Sequence, residues 1–179
     1  MQTGDLQTGF TSQKGNYYIP IDYSTEAVIA GIGADQQMWE FIQRHSDNNL
    51  WTYVLKSNNT SELGWDKFTR KFDSELAQIQ IMWSPPPRYL NLKQDFDNAT
   101  KFHKELGDWI NDSESKIEID NNNGLSGRFK LNLGDRIMYS AFIIIHTPQR
   151  RYQIQYSYTQ GFSDPDNTLK KIKKIKFLR

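Results

Sequence analysis

Three histidines, no cysteine and a scatter of carboxylates are what this chain of 179 residues offers for chemistry. His45, His103 and His146 fall in three separate stretches of the sequence. A zinc site or a general base needs partners at a fixed spacing, and none stands beside them. On a helix, His103 and Glu105 would face different ways. All three read as lone surface or edge histidines. Without cysteine there can be no disulfide, thiolate metal site or cysteine nucleophile. The middle of the chain is acidic, with Asp95, Asp97, Asp108, Asp112, Glu114, Glu118 and Asp120. Asp120-Asn-Asn-Asn-Gly124 has the composition of a calcium loop but lacks both the alternating Asp spacing and the closing bidentate Glu. It reads as a hairpin turn. Gly31-Ile-Gly33 has neither the third glycine nor the Lys-Ser/Thr pair of a phosphate loop, and no serine sits in a Gly-x-Ser-x-Gly elbow. The sequence therefore points to a non-enzyme with no catalytic residue, no metal site and no cofactor.

The binding chemistry is sharper. From Asp164 to the C-terminus there are six basic residues against two acidic ones, although the whole chain carries only +1. In a closing helix over 167–178, Leu169, Ile172 and Ile175 with Phe177-Leu178 would dock on a sheet while Lys170, Lys171, Lys173, Lys174 and Lys176 point to water. Cations near a helix C-terminus are also favoured by its dipole. Tyr152, Tyr156 and Tyr158 recur at even spacing and would share one strand face. These eight residues make a possible interaction surface. The partner implied is an unidentified protein or an anionic membrane surface. With a near-neutral chain and no RNA-binding consensus, nucleic acid is not expected.

The elements that must position these residues read as follows. Residues 1–16 form a polar, flexible leader, and residues 17–179 form one domain. Tyr17–Ile21 is a short strand that Pro20 marks as an edge or an end, and Ala27–Ile32 suits a buried strand. Residues 37–44 favour a strand, paired with the clearer strand Leu50–Leu55. Ser61 would cap a helix over 62–79, because Leu63, Phe68, Phe72, Leu76 and Ile79 lie near one helical face. Ser84-Pro-Pro-Pro87 breaks the chain, and a second helix runs from about Gln94 to Ile110. Strands at 115–120, 128–133, 136–146 and 151–158 follow, with connections short enough to force antiparallel neighbours. The expected class is α+β, a mainly antiparallel sheet flanked by helices. Five Trp, nine Tyr and ten Phe supply the core despite a mean hydropathy of −0.74.

Two features resemble the PsbP-like α/β/α sandwich, the group of photosystem extrinsic subunits and DcrB-type envelope lipoproteins. One is the strand pair Ile137–His146 and Tyr152–Tyr158 followed by a closing helix that ends in Phe177-Leu178. The other is Asn49-Leu-Trp-Thr-Tyr53 directly before a helix. The resemblance implies a non-catalytic accessory or interaction domain, often exported, and so a periplasmic or envelope-associated lipoprotein. The lack of cysteine agrees with a mature domain that follows a lipidated Cys. The other setting considered is the cytoplasm, where an immunity- or adaptor-type protein would use the basic C-terminal helix against an acidic partner. No signal peptide or membrane-spanning run is visible; the longest apolar run is Ala141–Ile145.

Overall fold

The computed structural model describes residues 6–29 and 36–179. Among them are ten strands and three helices, and every strand belongs to one sheet. Strand β1 (Leu6–Ser12) pairs antiparallel with β2 (Tyr17–Ile29). Helix α1 (Gln36–Ser46) precedes β3 (Trp51–Leu55), which runs parallel to β2. Strands β4 (Gly64–Phe72) and β5 (Glu75–Ser84) form a hairpin. After α2 (Leu92–Leu106) come four strands in hairpin succession: β6 (Ser115–Ile119), β7 (Asn122–Leu133), β8 (Arg136–His146) and β9 (Arg151–Thr159). Helix α3 (Pro165–Ile172) and the short β10 (Lys176–Phe177) close the chain. The spatial order is β1-β2-β3-β4-β5-β9-β8-β7-β6, with β10 on the side of β2.

The α+β sandwich with flanking helices is overturned. The protein is mostly β, a ten-stranded mixed sheet carrying three short helices. The helix expected over 62–79 is the β4–β5 hairpin. Asp73 takes φ 50° in a two-residue turn between the paired Phe72 and Glu75. Beyond it the burial alternates: Ala77, Ile79, Ile81 and Trp83 are buried while Gln78, Gln80 and Met82 face the other way. A period of two beats the looser helical spacing. Residues 37–44, expected as strand, are helical in α1, since a parallel β2–β3 step requires a crossover between the strands. The supposed leader contains β1, whose Phe10 is buried against Tyr23, Tyr53 and Phe68. The expected strands at Tyr17–Ile21 and Ala27–Ile32 are one strand, β2, as far as Ile29; Ala30 to Gly33, including Gly31-Ile-Gly33, lie outside the described residues. Pro20 sits inside β2 because the ladder is interrupted there. The β1 register shifts between Thr8 and Phe10, β10 reaches only Tyr17 and Tyr18, and β3 joins from Tyr23. No partner needs the missing N–H. The β6–β7 turn is Asp120-Asn121, both at positive φ (50° and 61°), rather than the stretch up to Gly124. The three strands expected between 128 and 158 are present and antiparallel.

One face of the sheet is the core. Residues of β2 (Tyr17, Ile19, Ile21), β5 (Ile79, Ile81, Trp83), β9 (Tyr152, Ile154, Tyr156), β8 (Ile143, Ile145) and β6 (Ile119) join a single buried cluster with Ile172 and Ile175. In a flat sheet β2 and β6 would lie about 34 Å apart, seven strand spacings. Their shared cluster requires the sheet to curl, and the C-terminus shows where it closes. β10 pairs with β2, and the Phe177 amide donates to Asp120 Oδ2 at the β6–β7 turn (2.8 Å). Helix α3 fills the concave side. On the convex side α2 covers β7 and β8 through Phe96, Leu125, Phe129, Phe142 and Ile144, and α1 covers β3 and β4.

The core also holds a polar centre. Asp66 on β4 is 2% exposed, and its two oxygens accept the hydroxyls of Tyr17 (2.6 Å) and Tyr53 (2.7 Å). Burial and the adjacent carboxyl push both tyrosines above their ordinary values. Burial raises Tyr152 to about 12 and lifts Tyr156 in the same direction. A raised acid releases its proton more readily when unfolded, so folding stability holds below about pH 10 and falls as the pH climbs toward the folded values. Equilibrium urea unfolding across pH 7–12 should show a plateau and then a decline above about pH 10. Tyr53→Phe should make that decline shallower and, by leaving Asp66 one hydroxyl short, lower stability at pH 7 by about 1–3 kcal/mol.

Candidate functional site

The three histidines each pair with a carboxylate, in three different places. His45 on α1 lies 3.0 Å from Glu26 on β2. His103 stacks on Phe129 (centroids 3.8 Å) with Nδ1 3.3 Å from Asp108. His146 at the end of β8 meets Asp95 of α2 at 2.7 Å. The last two sit at opposite ends of α2, where eight residues of rise separate Asp95 from His103 by about 12 Å. The sequence offered no partner for His45 or His146 because each partner is brought in by folding. Asp95 is the best developed of these contacts, as Arg151 Nε also donates to it at 2.7 Å. Burial pushes the Asp95 carboxyl up, but the hydrogen bonds and charges of Arg151 and His146 outweigh it and hold the group below the usual carboxylate range. This cluster ties the first turn of α2 to the sheet. Among the described residues no group of three or more His, Asp or Glu is placed to hold a metal ion.

The anticipated interaction surface separates into parts. Tyr152 is core: its ring stacks on Phe177 (4.5 Å) and its hydroxyl donates to the Gly15 carbonyl (2.6 Å). Tyr156 is 1% exposed. Both belong to the concave face, so neither is a surface contact. Tyr158 is half-buried between Tyr139 and Tyr156. Lys176 reaches Asp120 at 3.4 Å and helps to close the sheet. On α3, Ile172 is buried and Leu169 half-buried, while Lys170, Lys173 and Lys174 are exposed and Lys171 partly so.

What remains is a groove between α3 and the β6–β8 part of the concave face. Its recess of about 330 Å³ has an apolar floor of Ala141, Ile143 and Leu169. Arg128 and Lys173 rim it, and the hydroxyls of Ser115 and Ser126 meet at 3.0 Å on its wall. Lys116 borders it at the β6 edge, where its register opposite Leu125 turns its side chain to the convex face. These three cations make no ion pair among the described residues. No acidic side chain lines the recess. The sequence reading missed Lys116 and Arg128. The signal was register: on β7, Gly124, Ser126, Arg128 and Lys130 face inward opposite Ile145, Ile143, Ala141 and Tyr139, and polar residues on a core-facing register mark a place where the core ends.

A smaller recess of about 90 Å³ shares Arg128, Ala141 and Leu169 with the groove and adds Asp166 of α3. Two further recesses lie elsewhere on the β6 side of the sheet and at its closed end. One of about 650 Å³ lies behind β6, lined by Leu92, Leu125, Lys116 and Ile117 among others. Another, of about 390 Å³ at the closed end, contains Asp120, Arg150 and Tyr152. There Asp120 is engaged by Phe177 and Lys176.

No protein-family model matches this chain, and no curated protein matches it. A crystal structure of a protein from Bacteroides thetaiotaomicron VPI-5482, solved at 1.50 Å, is similar in fold, with a TM-score of 0.55 and 11% identity. The match covers 96% of this chain and 48% of that one, so this chain spans about half the length of its structural relative. At that identity the likeness concerns the fold alone. No described helix is long and apolar enough to cross a membrane.

The geometry separates structural charges from free ones. Asp95→Asn should lower stability by about 3 kcal/mol in denaturant unfolding, because it weakens a buried pair with two donors. The double change Lys116→Gln and Lys173→Gln should leave the melting temperature within about 2 °C, as expected of exposed side chains without partners.

Proposed function

We propose that this chain is a non-catalytic binding domain whose basic groove and α3 flank receive an acidic protein partner. The observation that carries the reading is the presence of two unpaired cations, Arg128 and Lys173, beside an apolar floor, with Lys116 on the adjacent edge strand and Lys170 and Lys174 exposed along and just after α3. A solvated face of a stable domain normally mixes both signs, whereas the charged residues lining the recess itself are cations alone, with Asp166 next to it on α3. A groove with an apolar floor and a charged rim also suits a polypeptide, which presents both kinds of side chain. The non-catalytic part of the proposal is supported by the histidines, each committed to a separate contact that holds one element to another: His45 to Glu26, His146 to Asp95, and His103 stacked on Phe129.

Binding to poly-L-glutamate, phosphatidylglycerol vesicles and single-stranded DNA at low and high salt tests the reading. Poly-L-glutamate should bind, with affinity falling as the salt shortens the screening length. The Lys170, Lys171, Lys173 and Lys174→Gln variant should melt normally and bind at least about tenfold more weakly. Binding to vesicles alone, to DNA alone or to none of the three overturns it.

A further inference from the structure

The sheet ends at β6, whose outer edge has no strand partner among the described residues. The two-residue turn at Asp120-Asn121 sets which groups that edge presents. Residues flanking such a turn form a hydrogen-bonded pair, so Ile119, Ile117 and Ser115 spend their backbone groups on β7. The N–H and C=O of Lys116 and Glu118 then point outward. An exposed row of this kind is a template for another strand.

Three further features bear on the same edge. It is flanked by a recess on each face, about 330 Å³ on the concave side and about 650 Å³ on the convex side, and Lys116 and Ile117 line both. The side chains of an added strand would alternate between the two. The concave recess has an apolar floor. Three of the nearby unpaired charges, Lys116, Lys173 and Arg128, are positive, and the one negative charge of the strand, Glu118, stands toward the turn.

We propose that the acidic partner engages this chain by adding an extended segment of its own to the free edge of β6. This rests on the acidic-partner reading and specifies its form. The segment runs antiparallel, with acidic residues opposite Ser115 and Lys116, an apolar residue opposite Ile117, and an uncharged residue opposite Glu118. Main-chain hydrogen bonds to Lys116 and Glu118 hold the strand, and the alternating side chains give it register.

The probe is the peptide acetyl-Val-Thr-Val-Glu-Glu-amide, titrated into the full chain and followed by amide NMR shifts and hydrogen exchange. The Lys116 and Glu118 amides should gain protection. N-methylation of the second and fourth probe residues, whose N–H groups would face β6, should weaken binding by about tenfold or more, whereas N-methylation of the third should not. Glu118→Pro, which removes an outward donor without touching the β7 ladder, should lose the peptide but still bind poly-L-glutamate. If poly-L-glutamate binds while the peptide leaves Lys116 and Glu118 unprotected, or if both N-methylated forms bind alike, the added strand is wrong and the acidic-partner reading stands. If neither polymer nor peptide binds, both are wrong.

Discussion

The need to cover the inner face of a ten-stranded sheet governs this molecule. That face carries Tyr17, Ile19, Ile79, Ile81, Trp83, Ile154 and Tyr156, all essentially without solvent exposure. A sheet with such a face must be packed against something. Here the cover is the sheet's own curl plus α3, an eight-residue helix too short to persist alone. Asp164 gives α3 no side-chain cap, and only Pro165 predisposes its first turn. The helix exists because Ile172 and Ile175 are buried. The contact of Phe177 with Asp120 and the pairing of β10 with β2 then hold the two ends of the sheet together.

Closure is incomplete, and the basic groove follows from that. At the β10 end the sheet meets itself. Beside β6 the inner register turns polar with Ser115, Ser126 and Arg128, and α3 contributes Lys173 instead of another apolar side chain. The groove, the free edge and the unpaired cations therefore share one cause: the place where the core runs out of apolar residues. The polar groups inside the core behave differently. Asp66 has both oxygens satisfied by tyrosines, and Ser140 meets Ser157 at 2.6 Å. Such satisfied groups specify one arrangement of neighbours. They are spent on the fold, as the groove cations are not.

The three helices are attachments to this frame. Capping by Asn91 and Gln94 and an αL Gly107 define the ends of α2, and Asp95 fixes its first turn to the sheet through His146 and Arg151. Because α1 and α2 each cover only part of the convex face, the polar row Gln78, Gln80, Gln153 and Gln155 remains half-exposed between them. This pattern separates a mostly β protein from an α+β sandwich.

The amino-acid sequence by itself determined the local periods that had no competitor. The β7–β9 meander, the existence of a helix expected over about Gln94 to Ile110 (observed Leu92–Leu106, stopped by Gly107) and the docking of α3 by Leu169 and Ile172 were legible because alternation and helical spacing were unambiguous there and the connections were short. Where two periods fit the same residues, as at Phe68, Phe72 and Leu76, the tertiary structure decided. The inner face rewards burial every second residue, and a parallel β2–β3 pair obliges α1 to be a helix. The polar stretch before Ser12 became a strand because Phe10 finds an aromatic pocket that no neighbour in sequence supplies. The lysines of α3 were legible as a basic face, but the groove was not. Arg128 comes from β7 and Lys173 from the end of α3, far apart in sequence, and only the packing of α3 into the curled sheet brings them to one recess.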